Sequence, residues 1–165
     1  MDKFEKHLIK NGELKYLNSR ERDEGVRMCF NKYEISTDKK NFLNFSTNSS
    51  QSYTDFAYIN IKKQLEENKD ITAIFFTGFL FLIGGLKAIH ELKLKIPDDI
   101  SIISFDDFPE LHMYPIAIST VSQPIKTMGK KAIDFLSKRI TGETGSPFQK
   151  IYKCKLLIRD SVKTI

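Results

Sequence analysis

Hydrophobic positions along this chain switch between two periods, and the switches mark a series of short elements. Lys3 to Lys10 read as a short amphipathic helix closed by Asn11-Gly12, and Leu14 to Leu17 as a following strand. Asn18 or Ser19 can cap a helix running through about Tyr33, with Asn18 and Glu21 at capping-box spacing. The polar stretch Ser36 to Asn41 is a loop, Phe42 to Phe45 a short strand, and "TNSSQS" a second loop. Tyr53 to Glu67 sets Phe56, Ile59, Ile61 and Leu65 at broadly helical intervals. Ala73 to Phe76 reads as a strand, Phe81 to Leu94 as an apolar helix, and Pro97-Asp98-Asp99 as a turn into the strand Ile100 to Phe105. Ile116 to Val121, Ile125 to Ile140 and Lys150 to Leu157 follow as strand, helix and strand, the helix ending near Gly142. Alternation at these lengths predicts βαβ crossovers, hence an α/β fold with a parallel sheet and helices on both faces.

Composition narrows the picture without changing it. A chain of 165 residues with 41% hydrophobic and 28% charged residues buries one core. The uncharged run "ITAIFFTGFLFLIGGL", Ile71 to Leu86, falls short of the ~20 residues a membrane-spanning helix needs, and Thr77-Gly78 interrupts it. It reads as a buried strand followed by a buried helix, so no membrane partner is expected. The net charge of +5 raises the question of nucleic acid, but the lysines are spread along the chain. Lys126, Lys130, Lys131, Lys138 and Arg139 fall on one helix and read as its solvated face. Cys29 and Cys154 show no CxxC spacing, so neither a disulfide framework nor a zinc site is indicated. The N-terminal "MDKFEKHLIK" is charged where a signal peptide needs an apolar stretch, which points to a cytoplasmic protein.

Candidate chemistry follows from strand ends. In open parallel sheets, ligands bind beyond the carboxyl ends of the strands, where helix N-termini and irregular backbone converge. That rule selects Asn18 to Arg22, Ser49 to Tyr53, Thr77 to Phe79, and Asp106-Asp107, the pair on which the β-branched run "ISIISF" stops. His7, His90 and His112 share no motif spacing with these aspartates, so a metal site is not expected. A phosphoacceptor reading fits poorly, because the first strand ends in Asn18 and the third in Thr77-Gly78. The chain carries no GxSxG, P-loop or GxGxxG motif, so neither an enzyme nor a cofactor is expected. Recognition remains, with a carboxylate accepting hydrogen bonds from ligand hydroxyls and an arginine donating to ligand oxygens.

Two stretches then carry a family likeness. The run from Ile71 to Glu110, with its core "PDDISIISFDD" at Pro97 to Asp107, and "STVSQP" at Ser119 to Pro124 resemble the effector-binding domain of the LacI/GalR repressor family. "HLIKNGELKYL" and "RERDEGVR" resemble that family's helix, strand and arginine-bearing helix start, so the likeness covers nearly the whole chain. The resemblance implies a flavodoxin-like lobe of a type I periplasmic-binding-protein-like domain. It implies a sensor for a small-molecule effector, a carbohydrate or nucleoside-like compound, that pairs as a homodimer and reaches DNA only through an N-terminal domain preceding Met1.

By the same resemblance, Asp106 grips ligand hydroxyls and Arg22, three residues before Gly25, contacts the ligand. Gly78 and Phe79 stand where many members have Asn-Asp, and Tyr53 is the neighbour able to replace an aromatic that falls near Ser52. Asp107 is expected to be a cap or turn residue, and Phe79 a core or lobe-interface filler as well as a candidate contact. Residues 1–122 are expected to form the C-terminal lobe, 123–157 a helix and strand belonging to a missing N-terminal lobe after a crossing at Gln123-Pro124, and 158–165 a tail. Two other classes are weighed: a sugar-binding protein of a transporter, and a relic or interaction module that dimerises without ligand.

Overall fold

The computed structural model describes residues 5–11, 17–36, 42–45, 51–146 and 149–163. Its strands are β1 (Glu5–Asn11), β2 (Phe42–Phe45), β3 (Ile71–Phe76), β4 (Ser101–Phe105), β5 (Ser119–Ser122) and β6 (Lys155–Leu157). Its helices are α1 (Leu17–Lys32), α2 (Tyr53–Glu67), α3 (Phe79–Glu91) and α4 (Ile125–Ile140), with a 3-10 turn at Pro109–Met113. The strands form one sheet in the order β2-β1-β3-β4-β5-β6. Neighbours are parallel throughout, except that β6 runs antiparallel to β5. Chain order reverses between β1 and β3, which is the switch point of the sheet.

Successive residues of a strand face opposite sides, and β3 divides its apolar side chains accordingly. Ile74 and Phe76 join the main core with Ala57, Ile61 and Leu65 of α2 and Leu82, Leu86 and Ile89 of α3. Phe75 turns the other way, toward Phe30 of α1 and Phe42. Helices therefore cover both faces, as the alternating pattern predicts. The α2–α3 contact is close because α3 carries Gly84, where an added Cβ would lie 2.1 Å from the Thr54 carbonyl oxygen. Gly85 makes room for the Phe76 ring in the same way, at 2.3 Å.

Three expectations change. Residues 5–10 were expected in a helix but form most of β1, with ladders to β2 on one side and β3 on the other. Pairing along both edges outweighs a local pattern too short to separate helix from strand. The strand expected at Leu14 to Leu17 lies outside the described residues except for Leu17, which begins α1. The last strand shortens to Lys155–Leu157 and adds to the free edge of β5. Between β5 and β6, helix α4 buries none of its residues.

The last described residues are built into the sheet. β4 and β5 diverge at their amino ends, and Ser161 fills the gap. Its N–H donates to the Ala117 carbonyl at 3.1 Å, and its carbonyl accepts from the Ile102 N–H at 2.7 Å. Its hydroxyl donates to the Ile102 carbonyl at 2.6 Å and accepts from the Ser119 N–H at 2.7 Å. Helix α4 is the opposite case, for no residue of it is buried, and Ile125, Ile133, Leu136 and Ile140 are exposed.

Candidate functional site

Arg22 and Asp106 meet at the carboxyl ends of β3 and β4. Arg22 projects from α1, and its guanidinium donates to the Thr77 carbonyl, just past β3, at 2.7 Å. The same group stacks 3.8 Å from the ring centroid of Phe105, the last residue of β4. It also lies 3.8 Å from Asp106 Oδ1, with the two side chains 19% and 17% exposed. Arg22 therefore spans the ends of neighbouring strands next to the switch point. A cation and a carboxylate reach solvent there side by side, a donor and an acceptor able to take one polar ligand between them.

Asp106 is held in an uncommon conformation. Its φ of 72° is left-handed, a region that costs non-glycine residues on the order of 1–3 kcal/mol. Two bonds fix it: its N–H donates to the Val121 carbonyl at 3.0 Å, and its Oδ1 accepts from Gln123 Nε2 at 2.5 Å. Both bonds join Asp106 to β5 and the residue just past it.

Asp107 has a different role. Both of its carboxylate oxygens bind the Arg159 guanidinium, at 2.8 and 3.1 Å, and Oδ1 also accepts from the Thr120 hydroxyl at 3.1 Å. Hydrogen bonding to Asp107 holds the Arg159 guanidinium above its ordinary range. Arg159 donates further to the Ile118 carbonyl at 2.6 Å. This pair ties the chain after β6 to the sheet. The paired aspartates thus divide their partners, Asp106 meeting Arg22 and Gln123, and Asp107 meeting Arg159 and Thr120.

The other sequence candidates lie at the starts of α2 and α3, with Tyr53 and Phe79 packed against the core. Gly78 caps α3 in extended conformation, and a Cβ there would meet only the edge of Phe81, at 3.9 Å. Phe79 opens α3, and its ring lies 4.5 Å from that of Phe108, centroid to centroid. Both rings are half-buried against the main core. Tyr53 begins α2 and sets its ring edge-on to Phe81 at 5.3 Å. Gln123, Phe105 and Phe108 were not picked out from sequence, although Gln123 lies just past the end of β5 and so satisfies the strand-end rule that selected Asp106. Among the described residues no cluster of three His, Cys, Asp or Glu could hold a metal ion, and no helix is long and apolar enough to cross a membrane.

The chain as a whole is similar to known proteins. Residues 7–162 match the model of the periplasmic binding protein-like domain family. The transcriptional regulator MalR of Clostridium butyricum is 34% identical over 138 residues, covering 84% of this chain and 39% of that protein. The structure of the regulator CelR in complex with cellobiose superposes with a TM-score of 0.82 at 22% identity, over 97% of this chain and 47% of the other. A LacI-family regulator from Enterococcus faecium with bound ribose gives 0.79 at 22% identity, over 95% and 56%. The chain spans less than half the length of the curated relatives it matches. Its strand order and these matches agree: the chain belongs to the periplasmic binding protein-like domain family and has the fold of the sensor domains of LacI-type transcriptional regulators.

Proposed function

We propose that this chain is an effector-sensing lobe of a LacI-type transcriptional regulator, and that it binds a carbohydrate through Asp106 and Arg22. The observation that carries the reading is their convergence, 3.8 Å apart and both partly open to solvent, at the ends of β3 and β4. Asp106 accepts from sugar hydroxyls, and Arg22 donates to ring or hydroxyl oxygens. Gly78, next to the Thr77 carbonyl that Arg22 binds, carries no side chain to crowd the site, and Phe79, which follows it, is paired with Phe108. The role is binding without catalysis, in the cytoplasm. DNA is contacted by a separate domain of the regulator, and two lobes associate side by side through a surface that includes the exposed Met113 and Tyr114.

The test is isothermal titration with cellobiose and with ribose, the sugars bound by the two structural relatives. A hydrogen bond to a charged group contributes about 1.5–3 kcal/mol, so Asp106→Asn is expected to weaken binding roughly ten- to a hundredfold. Equal affinity in the variant would remove Asp106 from the site. A second reading, an interaction module that associates with other regulators without ligand, draws on the apolar Gly78-Phe79 pair at the opening. It predicts no sugar binding and no effect of Asp106→Asn on association.

A further inference from the structure

Helix α4 buries none of its residues against this lobe, so packing on the sheet does not set its direction. The short segment between β5 and α4 sets it, and that segment is tied to the candidate ligand site. Gln123 is the first of the two residues of the link, before Pro124. Its carbonyl accepts from the Ile125 N–H at 2.8 Å, at the first turn of α4. Its side-chain amide donates to Asp106 Oδ1 at 2.5 Å. One residue thus touches both the start of α4 and the carboxylate on which the proposed function rests.

The chemistry of that contact is the chemistry of a ligand. An amide N–H on a carboxylate occupies the place that a sugar hydroxyl takes, and Oδ1 already faces Arg22 on its other side. We infer that Gln123 is a positioning residue that stands in for the effector on Asp106, and that effector binding displaces it and frees the start of α4. The inference rests on Asp106 being the ligand grip. It makes the ligand-free lobe the one in which α4 has a fixed heading, and it makes Gln123 an internal competitor that lowers effector affinity.

Amide hydrogen exchange on the whole chain tests this without a ligand. Gln123→Ala and Asp106→Ala are each expected to speed exchange in the first turn of α4 by about tenfold, because each removes the same bond. β4 and the segment around Ser161 keep their protection and serve as the folding control. The double variant is expected to exchange no faster than either single one. Gln123→Glu, which keeps the side chain's length but sets a second carboxylate against Asp106, is expected to loosen the same turn. Unchanged α4 exchange in either alanine variant, or additive effects in the double, overturns the inference.

Cellobiose and ribose supply a separate arm. If either binds, Gln123→Ala is expected to bind it several-fold tighter, and saturation of the natural chain to speed α4 exchange as the variant does. Equal or weaker affinity in Gln123→Ala overturns the competition. Absence of sugar binding in both forms counts against the carbohydrate reading, and the exchange result then decides the coupling by itself.

Discussion

Replacing Ser161 with alanine deletes one oxygen from a fully buried polar contact. Ser161 is 0% exposed, and its hydroxyl makes two bonds, to the Ile102 carbonyl at 2.6 Å and from the Ser119 N–H at 2.7 Å. Its backbone bonds to Ala117 and Ile102 remain in the variant, so the chain still passes between β4 and β5. The Ser119 N–H then loses its acceptor in a place closed to water, at a cost of about 1–3 kcal/mol. Losing the bond to the Ile102 carbonyl adds about 0.5–1.5 kcal/mol, less because a carbonyl retains a second lone pair. The expected destabilisation is roughly 2–4 kcal/mol, a large part of the 5–15 kcal/mol typical of a domain. In urea, where the slope is about 1–3 kcal/mol per molar, the unfolding midpoint falls by on the order of 1–2 M at unchanged slope. Asp160→Ala, one residue earlier and exposed, is the control and is expected to stay within about 0.5 kcal/mol of the natural chain. A Ser161→Ala midpoint matching that control would refute the claim that this hydroxyl joins the two strands.

Gly84→Ala places a methyl group 2.1 Å from the Thr54 carbonyl oxygen and 2.8 Å from the Ala57 Cβ, so α2 and α3 must separate. A loss of about 3 kcal/mol or more in thermal or urea unfolding is expected, whereas Gly25→Ala, with nothing within 4 Å, serves as its open-space comparison. Gly78→Asn fills open space at a helix cap in extended backbone, so it is expected to stabilise by a few tenths of a kcal/mol and to add a polar group at the site, read as tighter sugar binding in titration. On the outer face of α2 and α3, Lys62 and the Tyr58 hydroxyl both donate to Glu91, at 2.8 and 2.7 Å, and hold its carboxyl below the usual range. A lowered folded-state pKa contributes stability above the unfolded value of about 4.3 and loses it as pH falls through the folded value. The stability gap between the natural chain and Glu91→Gln is therefore expected at neutral pH and to close in acid, which urea unfolding at a series of pH values measures.

Much of the fold was legible because it rests on patterns that repeat within one element. Residues Tyr53 to Glu67 and Ile125 to Ile140 carry helical spacing over about four turns, and both helices have those bounds. Asp106 was legible because a β-branched run ending on acids places a carboxylate where strands open. The same rule selects the range Asn18 to Arg22, and the family resemblance singles out Arg22 within it. Short segments were not legible in this way. Residues 5–10 fit one helical turn as well as one strand, and pairing with β2 and β3 decides between them.

Apolar spacing along α4 predicts a helix, yet the periodicity carries no information about which surface that face meets, and this lobe covers none of it. The contacts that give the site its character are harder still. Asp107 and Arg159 are 52 positions apart, Asp106 and Gln123 are 17 apart, and Ser161 reaches Ile102 across 59. Each of these bonds depends on the registers of at least two strands, so single-residue chemistry names a capable group without naming its partner. The two adjacent aspartates show the consequence. Identical side chains follow one strand, and only the finished sheet determines that Asp107 meets Arg159 while Asp106 meets Gln123 and Arg22.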